Sequence, residues 1–261
     1  MMQEEGVKTV TRRFPQSEYD RFVVMFLSQG YAELFKVWHA YYAKHDTRRL
    51  VLLIVCLDKT AVDVATGHLK WVDNQAWIVV DEQGEIAISE KKSTNDLGEL
   101  WDLRLNVVLG LMKVFSLGIV MTDVDALWLR DPLALIDKDS ALASASLVAG
   151  TGSFPPECSL YNLKQTICLG FAVLRSSNAT RALLEDAIRK AMGNDQKNVN
   201  CAIKNEYEQL ASMERAWGAE MRYRRDGPEL TVGLLSADIV KRDKCSDNPD
   251  WWVPCHGTDD G

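Results

Sequence analysis

The chain reads as one α/β domain with a mixed, mainly parallel central sheet flanked by helices. Three observations predict this. RLVLLIVCLD, from Arg49 to Asp58, is nearly all apolar, the pattern of a strand covered on both faces. A β-branched run and a helical segment precede it, so strand, helix and strand follow at the spacing of a right-handed crossover. At 261 residues, 47% hydrophobic and 26% charged, the chain is long and apolar enough for one sizeable core, and its composition is not that of a disordered protein.

The elements follow in order. RFVVMFLS, Arg21 to Ser28, is the first strand, and Gly30 opens the helix read in YAELFKVWHAYYAKHD. AWIVVDEQGEIAIS predicts two short strands around a turn at Asp81 to Gly84. LWDLRLNVVLGLMKVFSL, Leu100 to Leu117, predicts a mostly buried helix that Gly118 stops in the left-handed conformation. GIVM is a short strand, TDVD lies on its end, and Pro132 bars regular continuation. ALASASLVAG reads as strand, TGSFPPECS as turn and CLGFAVLRS as strand. In ATRALLEDAIRKAM, Leu184, Ala187, Ile188 and Ala191 share one helical face. NDQKNVNCAIKNEYEQLASM predicts a further helix and ELTVGLLSADIV the last strand, while DKCSDNPDWWVPCHGTDDG has no periodicity. Residues 1–19 read as an N-terminal extension and 20–261 as the domain with a C-terminal tail.

Composition narrows the function. A net charge of -7 argues against nucleic-acid binding, which needs concentrated Lys and Arg, but it is compatible with a phosphorylated small substrate carried by a divalent cation. GxGxxG after the first strand and GxxxxGK[ST] are both absent, against a dinucleotide fold and a P-loop. The six cysteines lack CxxC or zinc spacing. They are expected to be mostly reduced and packed, with Cys158, Cys245 and Cys255 the ones exposed or paired. MMQEEG lacks an apolar leader core, and no run reaches membrane-spanning length. The expected setting is the cytoplasm for a full-length chain, or the secretory-pathway lumen for an excised catalytic domain. The sequon NAT at Asn178 does not decide between them.

MTDVDALWLRDP, Met121 to Pro132, carries the chemistry. On an extended strand Asp123 and Asp125 point to one side, with Val124 packed behind. Two neighbouring carboxylates repel unless a cation compensates them, and Mg²⁺ commonly joins one or two carboxylates to substrate phosphates. By themselves the two acids read more readily as solvated turn residues than as a metal site.

The surroundings extend the pattern. GIVMTDVDALWLRDP, Arg104 in LWDLRL, LGFAVLRSSNATRALLEDA, DQKNVN and His256 in VPCHG, taken in order, resemble the nucleotide-diphospho-sugar transferase family that includes plant and algal cell-wall arabinosyl- and xylosyltransferases. The resemblance spans residues 20 to 256. It implies a glycosyltransferase A fold and a retaining, metal-dependent transfer from a UDP-sugar, with Mn²⁺ or else Mg²⁺, to a hydroxyl of a carbohydrate, glycoprotein or small molecule. Asp125 would be the direct metal ligand, and Asp123 would contact the donor ribose or share the ion. His256 would be a further ligand, a role that a neutral imidazole fills better for Mn²⁺ than for Mg²⁺, or else a surface histidine. Asp195 and Gln196 would line the reactive face of the sugar, where a carboxylate or amide stabilises an oxocarbenium-like state. Without the resemblance those two read as loop residues. Gly170 and Phe171 would shape the sugar pocket.

Arg104 and Arg130 are the candidate diphosphate clamps, since a guanidinium matches phosphate oxygens. Arg104 stands where the resembled family more often has lysine, and its alternative is an internal salt bridge to Asp102 or Asp123. The family also continues past its late histidine with a basic residue, whereas this chain reads GTDDG. Trp128 is expected in the core, and Trp251 and Trp252 over an acceptor or pinning the tail. Two other classes use the same features. A phosphoryl or nucleotidyl transferase would need a second carboxylate set, for which Asp131 is the nearby candidate. An interaction module would keep the fold without the chemistry.

Overall fold

Alternate residues of the first strand belong to opposite cores. In β1 (Arg21–Leu27), Phe22 and Val24 join one apolar layer, and Val23, Met25 and Leu27 join the other, as the two-residue pleat requires. β2 (Leu50–Cys56) is buried along its whole length and divides in the same way. A sheet with two apolar faces needs helices on both. This computed structural model describes residues 18–69, 76–79, 97–159, 166–190, 192–209 and 220–235.

The remaining elements are α1 (Ala32–Tyr42), α2 (Lys59–Leu69), β3 (Ala76–Val79), α3 (Leu97–Val114), β4 (Gly118–Thr122), α4 (Pro132–Lys138) and α5 (Ser140–Ser144). After them come β5 (Leu147–Gly152), β6 (Thr166–Leu174), α6 (Asn178–Lys190), α7 (Asp195–Glu206), β7 (Glu208–Gln209), β8 (Glu220–Arg224) and β9 (Leu230–Leu235). One face is covered by α3, α6 and α7 through Leu105, Met112, Leu183, Leu184, Val199 and Ile203. The other is covered by α1, α2, α4 and α5 through Phe35, Trp38, Ala65, Ile136 and Leu142.

The strands lie in the order β3-β2-β1-β4-β6-β5-β9-β8-β7. From β3 to β4 every pairing is parallel; β6 and β8 run against their neighbours, and the other seven strands share one direction. The chain first builds outward from β1 through β2 to β3 and then crosses back to place β4 on the other side of β1. The strand order therefore reverses between β1 and β4, and the carboxyl ends of strands at such a reversal frame a crevice that side chains cannot fill. Asp123 directly follows β4.

Several expectations change. Gly118 does not cap α3 in the left-handed conformation; the helix ends at Val114, and Gly118 opens β4 opposite Arg21. Ala141–Ser144 of ALASAS is helical, because Asp139 caps α5 through the amides of Ala141 and Leu142. Pro132 starts a helix as well as ending the motif: it is the first residue of α4, where its missing N–H is no loss. β8 was hidden by its charged sequence, EMRYR, which has little of the apolar signal of a strand. Of the two strands expected in AWIVVDEQGEIAIS, the first is β3 and the second lies outside the described residues, as do residues 1–17 of the N-terminal extension and the tail with Trp251, Trp252 and His256.

Candidate active site

The acidic pair sits on a turn, which corrects the strand geometry expected for it. The amide of Ala126 donates to the carbonyl of Asp123 at 3.0 Å, closing a four-residue turn over Val124 and Asp125. Strand alternation therefore does not relate the two carboxylates. Asp123 lies at the base of the crevice with its side chain 25% exposed, and Asp125 is on the exposed corner.

The turn is held from behind. Val124 is buried in the layer that contains Trp38 and Trp128. The Trp38 indole donates to the Ala126 carbonyl at 3.2 Å, the Trp128 indole donates to the Thr122 hydroxyl at 3.4 Å, and His45 meets the Trp128 carbonyl at 2.7 Å. Trp128 is thus a core residue, as its sequence context implied. On the sheet side the Asp123 amide donates to the Gly170 carbonyl at 2.7 Å.

Arg104 joins the acidic turn to a second carboxylate. Its Nη2 lies 2.9 Å from Asp123 Oδ1 and its Nε lies 3.1 Å from Asp195 Oδ2. The guanidinium is within cation–π range of both Phe26 and Trp101, at 5.7 Å and 5.1 Å from the ring centroids. With side chains only 7% and 3% exposed, Arg104 and Asp195 form an ion pair sealed from water. The expected internal salt bridge exists to Asp123 and not to Asp102, which instead accepts from the Asn198 amide at 3.4 Å.

Asp195 and Gln196 are helical rather than loop residues. They open α7, whose N-cap Asn194 accepts from the Lys197 amide at 2.9 Å. Between α6 and α7 the chain reverses at Gly193, whose φ of 70° is a conformation that residues with a Cβ rarely adopt.

Two amides of α7, four residues apart on one face, set the height of that helix on the sheet. β4 pairs with β6 only as far as Phe171, and the β5–β6 register jumps between Ala149↔Ala172 and Gly150↔Cys168, so the segment from Leu169 to Phe171 is bulged. Asn200 supplies the missing strand partner: it accepts from the Ile167 amide at 2.7 Å and donates to the Ile167 carbonyl at 2.9 Å. Gln196 accepts from the Leu169 amide at 3.3 Å and donates to the Phe154 carbonyl at 2.6 Å. Gly152 leaves room for it, because a Cβ there would come within 3.5 Å of the Gln196 amide nitrogen and 3.2 Å of the Thr166 hydroxyl.

Phe171 is in the core, 1% exposed and edge-on to Trp128, while Gly170 meets the site through its backbone carbonyl. Arg130 is exposed on the segment after the turn. Asp131 caps α4, its Oδ1 accepting from Leu133 and Ala134, each at 3.0 Å. That leaves it tied to a helix end rather than available to a second ion. His39 and His68 contact each other at 3.2 Å between α1 and α2. Burial first, then the neighbouring charges of His39 and Lys36, lowers the pKa of His68. Sequence reasoning missed Asn200, Asn198 and the two aromatic rings beside Arg104; the only signal for any of these was the polar run DQKNVN.

The cysteine expectation also changes. Cys158 pairs as foreseen, but its partner is Cys201 of α7, 43 residues on, while Cys56 and Cys168 are buried. The disulfide joins the turn after Pro155 to the middle of α7. Glu157 reinforces it by pairing with Lys197 at 2.9 Å and accepting, through its carbonyl, from Lys204 at 2.6 Å.

No group of three or more potential metal ligands comes together among the described residues. Asp123 and Asp125 are hard oxygen donors on one turn, a set that suits a divalent ion completing its shell with phosphate and water. Among the described residues no helix is long and apolar enough to cross a membrane.

A three-layer α/β domain with an acidic turn at the strand-order reversal and a buried cation behind it belongs to the nucleotide-sugar-binding class of folds. The chain is a member of the nucleotide-diphospho-sugar transferase family, whose profile matches residues 50–248. Among solved structures it is similar to the bifunctional glycosyltransferase WbbM, at 12% identity and a TM-score of 0.51 over 71% of this chain and 37% of that one. It is also similar to the galactosyltransferase LgtC, at 15% identity and a TM-score of 0.45 over 70% of each chain. A third is the glycosyltransferase GlyE of Streptococcus pneumoniae, at 15% identity and 0.44 over 72% of this chain and 44% of that one. The chain thus spans less than half the length of WbbM and of GlyE. No curated protein sequence matches it.

Proposed function

We propose that the chain transfers a glycosyl group from a UDP-sugar to an acceptor hydroxyl, with Mn²⁺ or Mg²⁺ and with retention of anomeric configuration. The observation that carries this reading is the Arg104 bridge, which ties the acidic turn to Asp195 at the mouth of the family's fold. A buried cation between two carboxylates from separate elements is costly to build for stability alone, whereas it fixes the relative positions of a diphosphate site and a sugar site.

Asp125, exposed on the turn, is the direct metal ligand, and Asp123 addresses the ribose or shares the ion. His256 of the tail is a further ligand. When bound, the ion neutralises the diphosphate as it departs from the sugar. Asp195 is held with one carboxylate oxygen on Arg104 and the other accepting from the Gln196 amide at 2.7 Å. From there it supports positive charge developing at the anomeric carbon. Gln196, anchored at both ends of its amide, positions the floor of the sugar pocket, with Gly170 beside it. The resemblance to arabinosyl- and xylosyltransferases favours a pentosyl or hexosyl donor and a carbohydrate or glycoprotein acceptor. The Cys158–Cys201 disulfide favours an oxidising compartment such as the secretory lumen.

The test is UDP release from a panel of UDP-sugars with Mn²⁺ present or chelated, run on wild type and D125A. Metal-dependent release by one donor is expected from wild type. D125A, altered at an exposed turn position, should lose that release while melting within about 2 °C of wild type. Wild-type-like, metal-dependent release by D125A would sink the assignment.

A further inference from the structure

The sequon Asn178-Ala179-Thr180 lies at the start of α6. We propose that Asn178 is an N-glycosylation site, carrying an oligosaccharide at the end of the sheet opposite the candidate active site. Three independent features of the fold support it. The first is position. β6 runs antiparallel to β4, with Phe171 opposite Thr122 and Leu174 opposite Ile119, so the chain leaves β6 at the end of the sheet away from Asp123. A glycan there does not obstruct the crevice.

The second is the geometry of the amide. Asn178 is exposed, and its Oδ1 accepts from Arg181 Nη2 at 2.6 Å. Glycosylation uses the other end of the side chain. Nδ2 attacks the anomeric carbon of a lipid-diphosphate-linked oligosaccharide, a C–N bond forms, the bond to the diphosphate oxygen breaks and the amide proton is lost. The Arg181 hydrogen bond survives that change, so the modified residue keeps its place in the first turn of α6. Around it Lys113, Arg181, Ala182 and Glu185 line an open polar cleft of about 540 Å³ that can receive the first sugar.

The third is compartment. The Cys158–Cys201 disulfide links distant parts of the same domain, and such bonds persist where proteins are oxidised and where N-linked transfer occurs. The fold also dates the modification. Thr180, whose hydroxyl completes the sequon, is fully buried and bonded to Ser177 at 2.9 Å. Recognition must therefore precede docking of α6 on the sheet.

The experiment uses the chain purified from the cells that make it, digested with peptide N-glycosidase in ¹⁸O-labelled water. Expected is a drop in mass by one oligosaccharide and one ¹⁸O-aspartate at position 178, both lost in N178Q expressed in the same cells. Non-reducing peptide maps of the same material report the disulfide. Unmodified Asn178 in material whose Cys158–Cys201 bond is formed overturns the proposal, and so does unmodified Asn178 in material with both thiols free.

Discussion

Replacing Arg104 with methionine keeps much of the apolar stem and removes the charge. In R104M the Asp195 carboxylate, 3% exposed, loses a guanidinium at 3.1 Å, and Asp123 loses one at 2.9 Å. Removing one partner of a buried pair costs about 3–5 kcal/mol, because the remaining charge stays out of water without compensation. Most of that cost falls on Asp195, since Asp123 is 25% exposed and water screens it. Urea unfolding is the assay. With a slope of about 3 kcal/mol per molar, the upper end of the usual range, the midpoint should fall by about 1–1.7 M. The double variant R104M/D195N removes the stranded charge. It should be about 2 kcal/mol more stable than the sum of the single losses implies. A midpoint for R104M within about 0.3 M of wild type, or strict additivity in the double variant, would refute the view that Arg104 compensates a buried carboxylate.

Three further outcomes are expected. D195N should lower sugar transfer by about 100-fold or more while leaving UDP-sugar binding nearly unchanged; equal losses in turnover and titrated affinity would assign Asp195 to binding or folding instead. Replacing Cys158 and Cys201 together with serine opens a loop whose ends are 43 residues apart, and loop-closure entropy puts the loss near about 4 kcal/mol by denaturant unfolding. A loss under about 1 kcal/mol would show that contacts of Glu157 hold the turn unaided. Burial, with Asp58 second, pushes the Cys56 thiol up to about 12 from 9.0. Its folded pKa exceeds its unfolded one, so its contribution to stability is full below pH 9 and falls as pH rises toward 12. In C56A the slope of stability against pH across that window should be shallower by up to about 1.4 kcal/mol per pH unit, and an unchanged slope would contradict it.

How much of this was legible in the sequence depended on how local each signal was. β1 and β2 announced themselves because a doubly covered strand has no polar face; a helix was also expected over the segment of α7, but its first turn, which Asn194 caps, read as loop. The acidic motif was visible and its acids alone read as turn residues, but the common orientation expected of the two carboxylates was taken from strand alternation, which the turn overturns. Nothing in Thr122-Asp123-Val124 foretells the bond from Ala126 back to Asp123, or the two indoles that hold it. The docking of α7 through Gln196 and Asn200 was illegible for a different reason. It depends on a bulge in β6 that appears only when β4 and β5 have taken their registers. The partner of Cys158 was likewise set by the placement of α7 rather than by spacing. Pairing of Arg104 with an acid could be foreseen from burial of a charge, but the choice of Asp195 over Asp102 required the helix positions.

The arginine at 104, where the resembled family more often has lysine, follows from what the side chain must span. An ammonium is a point charge, and held against Asp123 it would give up the close contact with Asp195. The guanidinium spreads its charge over three nitrogens in one plane, so Nε lies 3.1 Å from Asp195 on α7 in an ion pair while Nη2 lies 2.9 Å from Asp123 after β4. Its flat faces, weakly hydrated, also tolerate the neighbouring rings of Phe26 and Trp101, where an ammonium would be desolvated at greater cost. The substitution therefore preserves the charge and adds a geometric constraint: α7 and the acidic turn are fixed to one rigid plane. A diphosphate entering the crevice meets that plane already neutralised by two carboxylates. Arg104 is then better suited to positioning the acids than to clamping phosphate, and under the proposed function the phosphate charge would fall to a divalent ion at Asp125.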